Sequence, residues 1–211
     1  VIKPSVLPIP TIKKRIHKIL DKDGVYLLLT SNCNEISPLC HPKTIKKNRM
    51  KGVLLVNLGS PESPTPKDVK PYLDEFLMDK YVIDVPYLLR ALLVRGIILQ
   101  TRPKKSAEAY SRIWTSEGSP LIVISKKMHQ KVKQLVDVPV ALAMRYGTMT
   151  IQKGLQELKD QGVTEVMLLP LYPQHAMAST TTIVGLAEEL RQKYLPEMTF
   201  PSVAAVYKKT D

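Results

Sequence analysis

From Lys51 onward the chain alternates between short apolar runs and longer stretches with one apolar face. Val53-Leu54-Leu55-Val56-Asn57-Leu58 is a mostly apolar run closed by Gly59-Ser60-Pro61, the pattern of a buried strand ending in a turn. Thr65-Pro66-Lys67-Asp68 then reads as a helix start, with Thr at the cap, Pro at the first helical position and Asp near the positive end of the dipole. Val69, Tyr72, Leu73, Phe76 and Leu77 supply its apolar stripe, and Pro71 can kink it. The pattern predicts further helices over Pro86 to Leu99, over Lys104 to Ile113, and after a Ser119-Pro120 cap. A strand over Val138 to Met144 follows, then a helix capped by Thr150 and ended by Gly162. A strand over Val163 to Leu169, a helix over Ser179 to Tyr194 and a strand over Phe200 to Tyr207 complete the series.

Alternating strands and helices point to an α/β fold, a doubly wound and mostly parallel sheet with helices on both faces. Ligands of such sheets bind outside the carboxyl ends of the strands. Here those ends are Leu58-Gly59-Ser60, Arg145-Tyr146-Gly147 and Leu171-Tyr172-Pro173-Gln174-His175. Three loops rich in aromatic and hydrogen-bonding groups are expected to converge on one rim.

The helix over Pro86 to Leu99 is apolar around more than one face, through Leu88, Leu89, Leu92, Leu93, Ile97 and Ile98. A helix of this kind is usually buried. Its functional alternative is a hydrophobic lip that admits an apolar ligand or touches a membrane peripherally. No apolar run reaches the roughly 18–20 residues needed to span a bilayer.

Composition changes the picture mainly at the front. The chain has 211 residues and a net charge of +12. Residues 1–49 hold ten of the 31 basic and three of the 19 acidic side chains, a balance of +7, which leaves +5 for the other 162. They also hold both cysteines, five prolines and no sustained periodicity. We read residues 1–49 as a basic, poorly structured leader or artefact, and residues 50–211 as the folded domain, with Met50 as the natural start. N-terminal sequencing of the native protein tests this. The body carries no basic cluster interleaved with aromatics, so nucleic acid is not an expected partner. Cys33, Cys40 and His41 lack the second ligand pair of a zinc site.

The chemistry is narrowed by what is missing. Gly59-Ser60-Pro61-Glu62 does not complete a dinucleotide fingerprint, and the chain has neither a P-loop nor a nucleophile elbow. The rim suits a large, flat ligand that is acidic at its edge and apolar on its faces. Arg102 and Arg145 can pair with carboxylates, and Tyr110, Tyr146 and Tyr172 can stack or donate hydrogen bonds. The plainer readings are a surface ion pair for Arg102 and an ordinary amphipathic helix position for Tyr110. His175 falls at a strand end and can be a base or a metal ligand, against the plainer role of a structural hydrogen-bonder. His129, on a helix beside lysines, is expected to be solvated.

Five ordered segments carry a family resemblance: GVLLVNLGSPESPT (Gly52 to Thr65), YLDEFLMD (Tyr72 to Asp79), YSRIWTSEGSPL (Tyr110 to Leu121), RYG (Arg145 to Gly147) and LPLYPQHAMASTT (Leu169 to Thr181). Together they resemble the N-terminal half of ferrochelatase, over about residues 51–211. The resemblance implies two similar α/β halves with a porphyrin between them, and insertion of ferrous iron into protoporphyrin IX or coproporphyrin in haem biosynthesis. It implies that Leu58 lines the macrocycle, that Arg102, Tyr110 and Ser119 hold the porphyrin, and that Arg145, Tyr146 and Tyr172 are cleft residues. Porphyrin and Fe(II) are then substrates rather than bound cofactors. With no cysteine in YPQH, no iron–sulfur cluster is expected.

The family's catalytic His and Glu belong to its second half, beyond Asp211, so this chain is expected to be inactive alone. The location expected from the resemblance is cytoplasmic, with membrane association through residues 86–99. Two alternatives stand beside this reading: a chelatase for cobalt or nickel, and a half-domain that binds porphyrin without metallating it.

Overall fold

The computed structural model describes residues 49–172 and 176–201. The centre is a three-stranded parallel sheet of β1 (Lys51–Gly59), β2 (Val140–Tyr146) and β3 (Glu165–Pro170), in the spatial order β2-β1-β3. Among the described residues, the first strand in sequence is therefore the middle strand in space. Val53 pairs with Val140 and Gly59 with Tyr146 on one side, and Lys51 pairs with Glu165 and Val56 with Pro170 on the other. Because the three strands run parallel, their carboxyl ends finish on one edge of the sheet.

Both faces of the sheet are covered, which is why β1 and β3 read as continuous apolar runs rather than alternating ones. One face sends Val53, Leu55, Leu142, Met144 and Leu169 against Met128 and Val132 of α4 (Pro120–Lys133). The other sends Leu54, Val56, Ala143 and Leu168 against Ile151, Leu155 and Leu158 of α5 (Ile151–Asp160) and Ile183 and Ala187 of α6 (Thr182–Tyr194). Thr65 caps α1 (Pro66–Leu77) by accepting the Asp68 N–H at 3.4 Å, and Thr150 caps α5 by accepting that of Lys153 at 3.3 Å. Gly162, at φ +81°, ends α5 as expected of a left-handed terminal position.

Several expectations are corrected. The two helices predicted over 86–99 and 104–113 are one continuous helical run. It comprises α2 (Tyr87–Ala91), a π-helical stretch (Leu92–Ile98) and α3 (Leu99–Ser111). Gln100 Nε2 donates to the Arg95 carbonyl at 3.0 Å, taking up an acceptor where the hydrogen-bond spacing changes. Most of the large apolar residues over 87–98 are not buried: Leu88 is 80 % exposed, Leu92 68 % and Ile97 63 %. Only Arg90 and Val94 of residues 87–98 are buried, so the hydrophobic pattern marks a surface rather than a core. His129 is not simply solvated, since its Nε2 lies 2.8 Å from the Val140 carbonyl. Thr199 forms a bridge with Glu165 just before the strand predicted over Phe200 to Tyr207, Phe200 and Pro201 are not in a strand, and residues 202–207 lie outside the described residues. The leader of residues 1–48, with Cys33, Cys40 and His41, also lies outside them.

Candidate functional site

The carboxyl edge of the sheet opens beside a cavity of about 290 Å³. Its floor is Met144 and Tyr146 from the end of β2 and Ser60-Pro61-Glu62 from the turn after β1. Trp114, Glu117, Gly118 and Ser119 form one side, with Ile122 and Lys126 of α4 beyond them. Two serine hydroxyls serve it. Ser60 is buried and its Oγ has no hydrogen-bond partner among the described residues. Ser119 is buried at the start of α4, and its side chain makes no capping bond, unlike those of Thr65 and Thr150. Lys126 and Glu62 are exposed at the cavity, while Glu117 is paired with Lys127 at 2.7 Å.

The turns that shape the edge depend on backbone freedom. Gly59 sits at φ +103°, and a Cβ there would lie 2.0 Å from the Tyr146 carbonyl oxygen. The ends of β1 and β2 touch backbone to backbone at this point. The Tyr72 hydroxyl of α1 donates to the Gly59 carbonyl at 3.3 Å, and Gly147 N–H donates to Glu75 Oε2 at 2.9 Å.

Behind the cavity the rings form a chain. Trp114 meets Tyr110 edge-on at 6.2 Å, Tyr110 meets Tyr72 at 6.3 Å, Tyr72 and Phe76 lie parallel at 6.5 Å, and Phe76 meets Tyr146 edge-on at 5.2 Å. Burial pushes the phenol pKa values of Tyr72, Tyr110, Tyr146 and Tyr172 up, so these side chains are neutral hydrogen-bonding groups near neutral pH. The Tyr172 hydroxyl is buried with no partner among the described residues.

The expected site residues separate into groups. Ser119 and Tyr146 line the cavity, Tyr110 packs against Trp114, which also lines it, and Leu58 is half-buried two residues before Ser60. Tyr172 packs on the other face of the sheet, beside α6. Arg102 is exposed on α3 and makes no ion pair among the described residues. His175 lies outside the described residues.

Arg145 is engaged by another residue. Its Nη2 donates to Asp79 Oδ2 at 2.5 Å, its Nε donates to the Thr182 hydroxyl at 2.6 Å, and its guanidinium lies 4.4 Å above the Tyr146 ring. The pairing with ligand carboxylates expected of Arg145 must therefore compete with a partner already in place. Asp79 and Thr182 were not singled out as site residues from the sequence, nor were Ser60, Trp114 and Lys126. The available signal for Asp79 was an acid placed immediately after the apolar stripe of α1. Burial pushes the Asp79 carboxyl up. The Thr182 hydroxyl, the Tyr81 N–H, the Tyr146 phenol and the Arg145 charge outweigh it and hold the pKa below the usual carboxylate range. Among the described residues no three His, Cys, Asp or Glu side chains gather as a metal site, and no helix is long and apolar enough to cross a membrane.

Comparison with known proteins matches this architecture to one family. The ferrochelatase family profile covers residues 50–210. The ferrochelatase of Azotobacter vinelandii is 52% identical over 141 residues, which are 66% of this chain and 40% of that protein. That of Photobacterium profundum is 44% identical over 156 residues, 73% of this chain and 48% of its own length. That of Pectobacterium atrosepticum is 45% identical over 157 residues, 73% and 49%. The chain thus spans less than half the length of these relatives. With the profile covering the whole described α/β unit and the rim segments within it, the chain belongs to the ferrochelatase family.

Proposed function

We propose that this chain forms one wall of a porphyrin slot, and that the protein it represents inserts ferrous iron into a porphyrin in haem synthesis. The observation that carries this reading is the cavity at the sheet's carboxyl edge, lined by an indole, a phenol, two thioethers and the hydroxyls of Ser60, Ser119 and Thr148, of which the buried Ser60 Oγ has no hydrogen-bond partner among the described residues. A tetrapyrrole is flat and apolar on its faces and acidic at its rim. It needs aromatic and aliphatic walls for the first and cations and hydroxyls for the second. Tyr146, Met144, Leu58 and Trp114 suit the faces. Arg102, with no competing ion pair among the described residues, suits the acids, together with Ser119 and Tyr110. The cavity is at the small end of the range of about 300–1,000 Å³ usual for ligand sites, as fits one wall rather than an enclosed pocket. The exposed apolar face of residues 87–98 fits a lip over which such a ligand passes.

Metallation removes two pyrrole protons and so needs a positioned base. In this reading the chain binds the macrocycle, and the base comes from the portion of the relatives that it does not span. A Soret-band titration of the 211-residue chain with a dicarboxylate porphyrin tests the proposal. A saturable shift that weakens in Arg102→Gln is expected, without zinc or iron insertion. Absence of any shift overturns the binding assignment, and insertion by this chain alone overturns the division of labour.

A further inference from the structure

Asp79 follows α1 and is almost wholly buried, its side chain 3% exposed. Nothing in the slot reading uses it, yet it accepts four hydrogen bonds. The Tyr81 N–H donates to Oδ1 at 2.8 Å. On Oδ2 converge Arg145 Nη2 at 2.5 Å, the Tyr146 hydroxyl at 2.8 Å and the Thr182 hydroxyl. The Thr182 hydroxyl in turn accepts from Arg145 Nε, so its one proton goes to Asp79. The carboxylate thus ties the end of α1, the end of β2 and the first residue of α6 at a single atom. One turn earlier, Glu75 takes the Gly147 N–H, so two carboxylates near the end of α1 grip the last residues of β2 and the residue that follows it.

We infer that Asp79 is a positioning residue for the slot: it fixes the orientation of Tyr146, and Arg145 serves as its counter-ion rather than as a partner for the ligand. This rests on the porphyrin reading above. Tyr146 is the member of the network that lines the cavity. A tyrosine has two side-chain torsions, and tethering its hydroxyl while its ring meets Phe76 edge-on leaves neither free. Arg145 is 13% exposed, and two of its three guanidinium nitrogens are committed to Asp79 and Thr182. A buried charge with a partner at this distance is not readily shared, since releasing either ion leaves the other without compensation. On β2, Met144 packs on the cavity side of the sheet and Ala143 on the opposite side, and Arg145 continues the opposite series. Recognition of the ligand's acids then falls to Arg102 and Ser119.

The test uses the 211-residue chain, a dicarboxylate porphyrin and its dimethyl ester, read by Soret titration at fixed ionic strength. Tyr146→Phe removes the tether. The charge-balanced pair Asp79→Asn with Arg145→Gln removes the anchor without changing net charge. Each is expected to weaken binding several-fold to about tenfold, and the triple variant is expected to lose no more than either. Preference for the diacid over the ester stays within about twofold of wild type in the charge-balanced pair and falls in Arg102→Gln. Additive losses, or a fall in that preference of about fivefold or more in the charge-balanced pair, overturn the inference. Thr182→Val keeps both charges and is expected to give a smaller loss in the same direction, which covers poor folding of the paired variant. Independently of any ligand, the Arg145 Nε–H should give an exchange-protected NMR signal that is lost in Thr182→Val. Its absence in the wild type overturns the inference. A protected signal in a chain that leaves the Soret band unmoved sinks the porphyrin reading and leaves the network standing.

Discussion

Gly59→Ala and Gly118→Ala form a matched pair in which backbone strain is shared and crowding is not. Gly59 has φ +103° and Gly118 has φ +108°, so an added methyl meets a similar conformational penalty at both, about 1–3 kcal/mol. At Gly118 nothing lies within 4 Å of the new Cβ. At Gly59 it would sit 2.0 Å from the Tyr146 carbonyl oxygen, 3.0 Å from the carbonyl carbon and 3.3 Å from Met144 Cβ. Backbone atoms cannot rotate aside, and relief requires opening the β1–β2 ladder where Gly59 pairs with Tyr146. Overpacking of this kind adds about 1–3 kcal/mol. For a domain of this size about 1 kcal/mol corresponds to roughly 2–4 °C. Gly59→Ala is therefore expected to melt roughly 2–12 °C below Gly118→Ala, with both below wild type. Thermal melts followed by circular dichroism provide the measurement. If the two variants melt together, the close approach of the strand ends does not constrain the rim, and the geometry assigned to the slot is wrong.

Three further outcomes follow from buried polar groups. Asp79→Asn leaves Arg145 uncompensated and should cost about 3–5 kcal/mol near neutral pH. The folded-state pKa of Asp79 is depressed below an unfolded value near about 3.9. Its stabilisation is therefore complete above about pH 5 and is lost as pH falls through the folded value, so the gap in urea midpoint between wild type and variant should narrow below about pH 4. A gap constant from neutral pH down to about pH 3 contradicts this. Ser125→Ala removes the buried oxygen that accepts Asn57 Nδ2 at 3.0 Å, and should cost about 1–3 kcal/mol in chemical denaturation. Tyr172→Phe removes a buried hydroxyl that has no partner among the described residues, so it should melt at or slightly above wild type; a clear loss of stability would show that the hydroxyl is engaged.

Much of the scaffold was legible because local chemistry and tertiary demand agree. The apolar run of β1, the caps at Thr65 and Thr150 and the stop at Gly162 each work over a few residues. Parallel strands place their carboxyl ends together whatever the intervening helices do. Burial of the 87–98 stretch was not legible. An all-round apolar helix has the same residue pattern whether it faces a core or the surface, and here only Arg90 and Val94 turn inward. The join of α2 to α3 was hidden because a π-helical stretch shifts the face on which each later residue falls. The Asp79 network was hidden for a different reason. Its side-chain partners lie 66, 67 and 103 residues away, and no local spacing encodes a contact of that kind.

The placement of the first strand at the centre of the sheet bears on how the chain is made. Val53 meets Val140 across a gap of 87 residues, and Lys51 meets Glu165 across 114. At synthesis rates of about 5–20 residues per second, the segment Val53–Leu58 leaves the ribosome roughly 4–18 s before its first lateral neighbour exists. During that interval a stretch of high β propensity carries unpaired main-chain groups along both sides, the situation in which intermolecular association outruns native pairing. The yield of native protein should therefore rise at low temperature or with a holding chaperone present during translation, even where the finished molecule is stable.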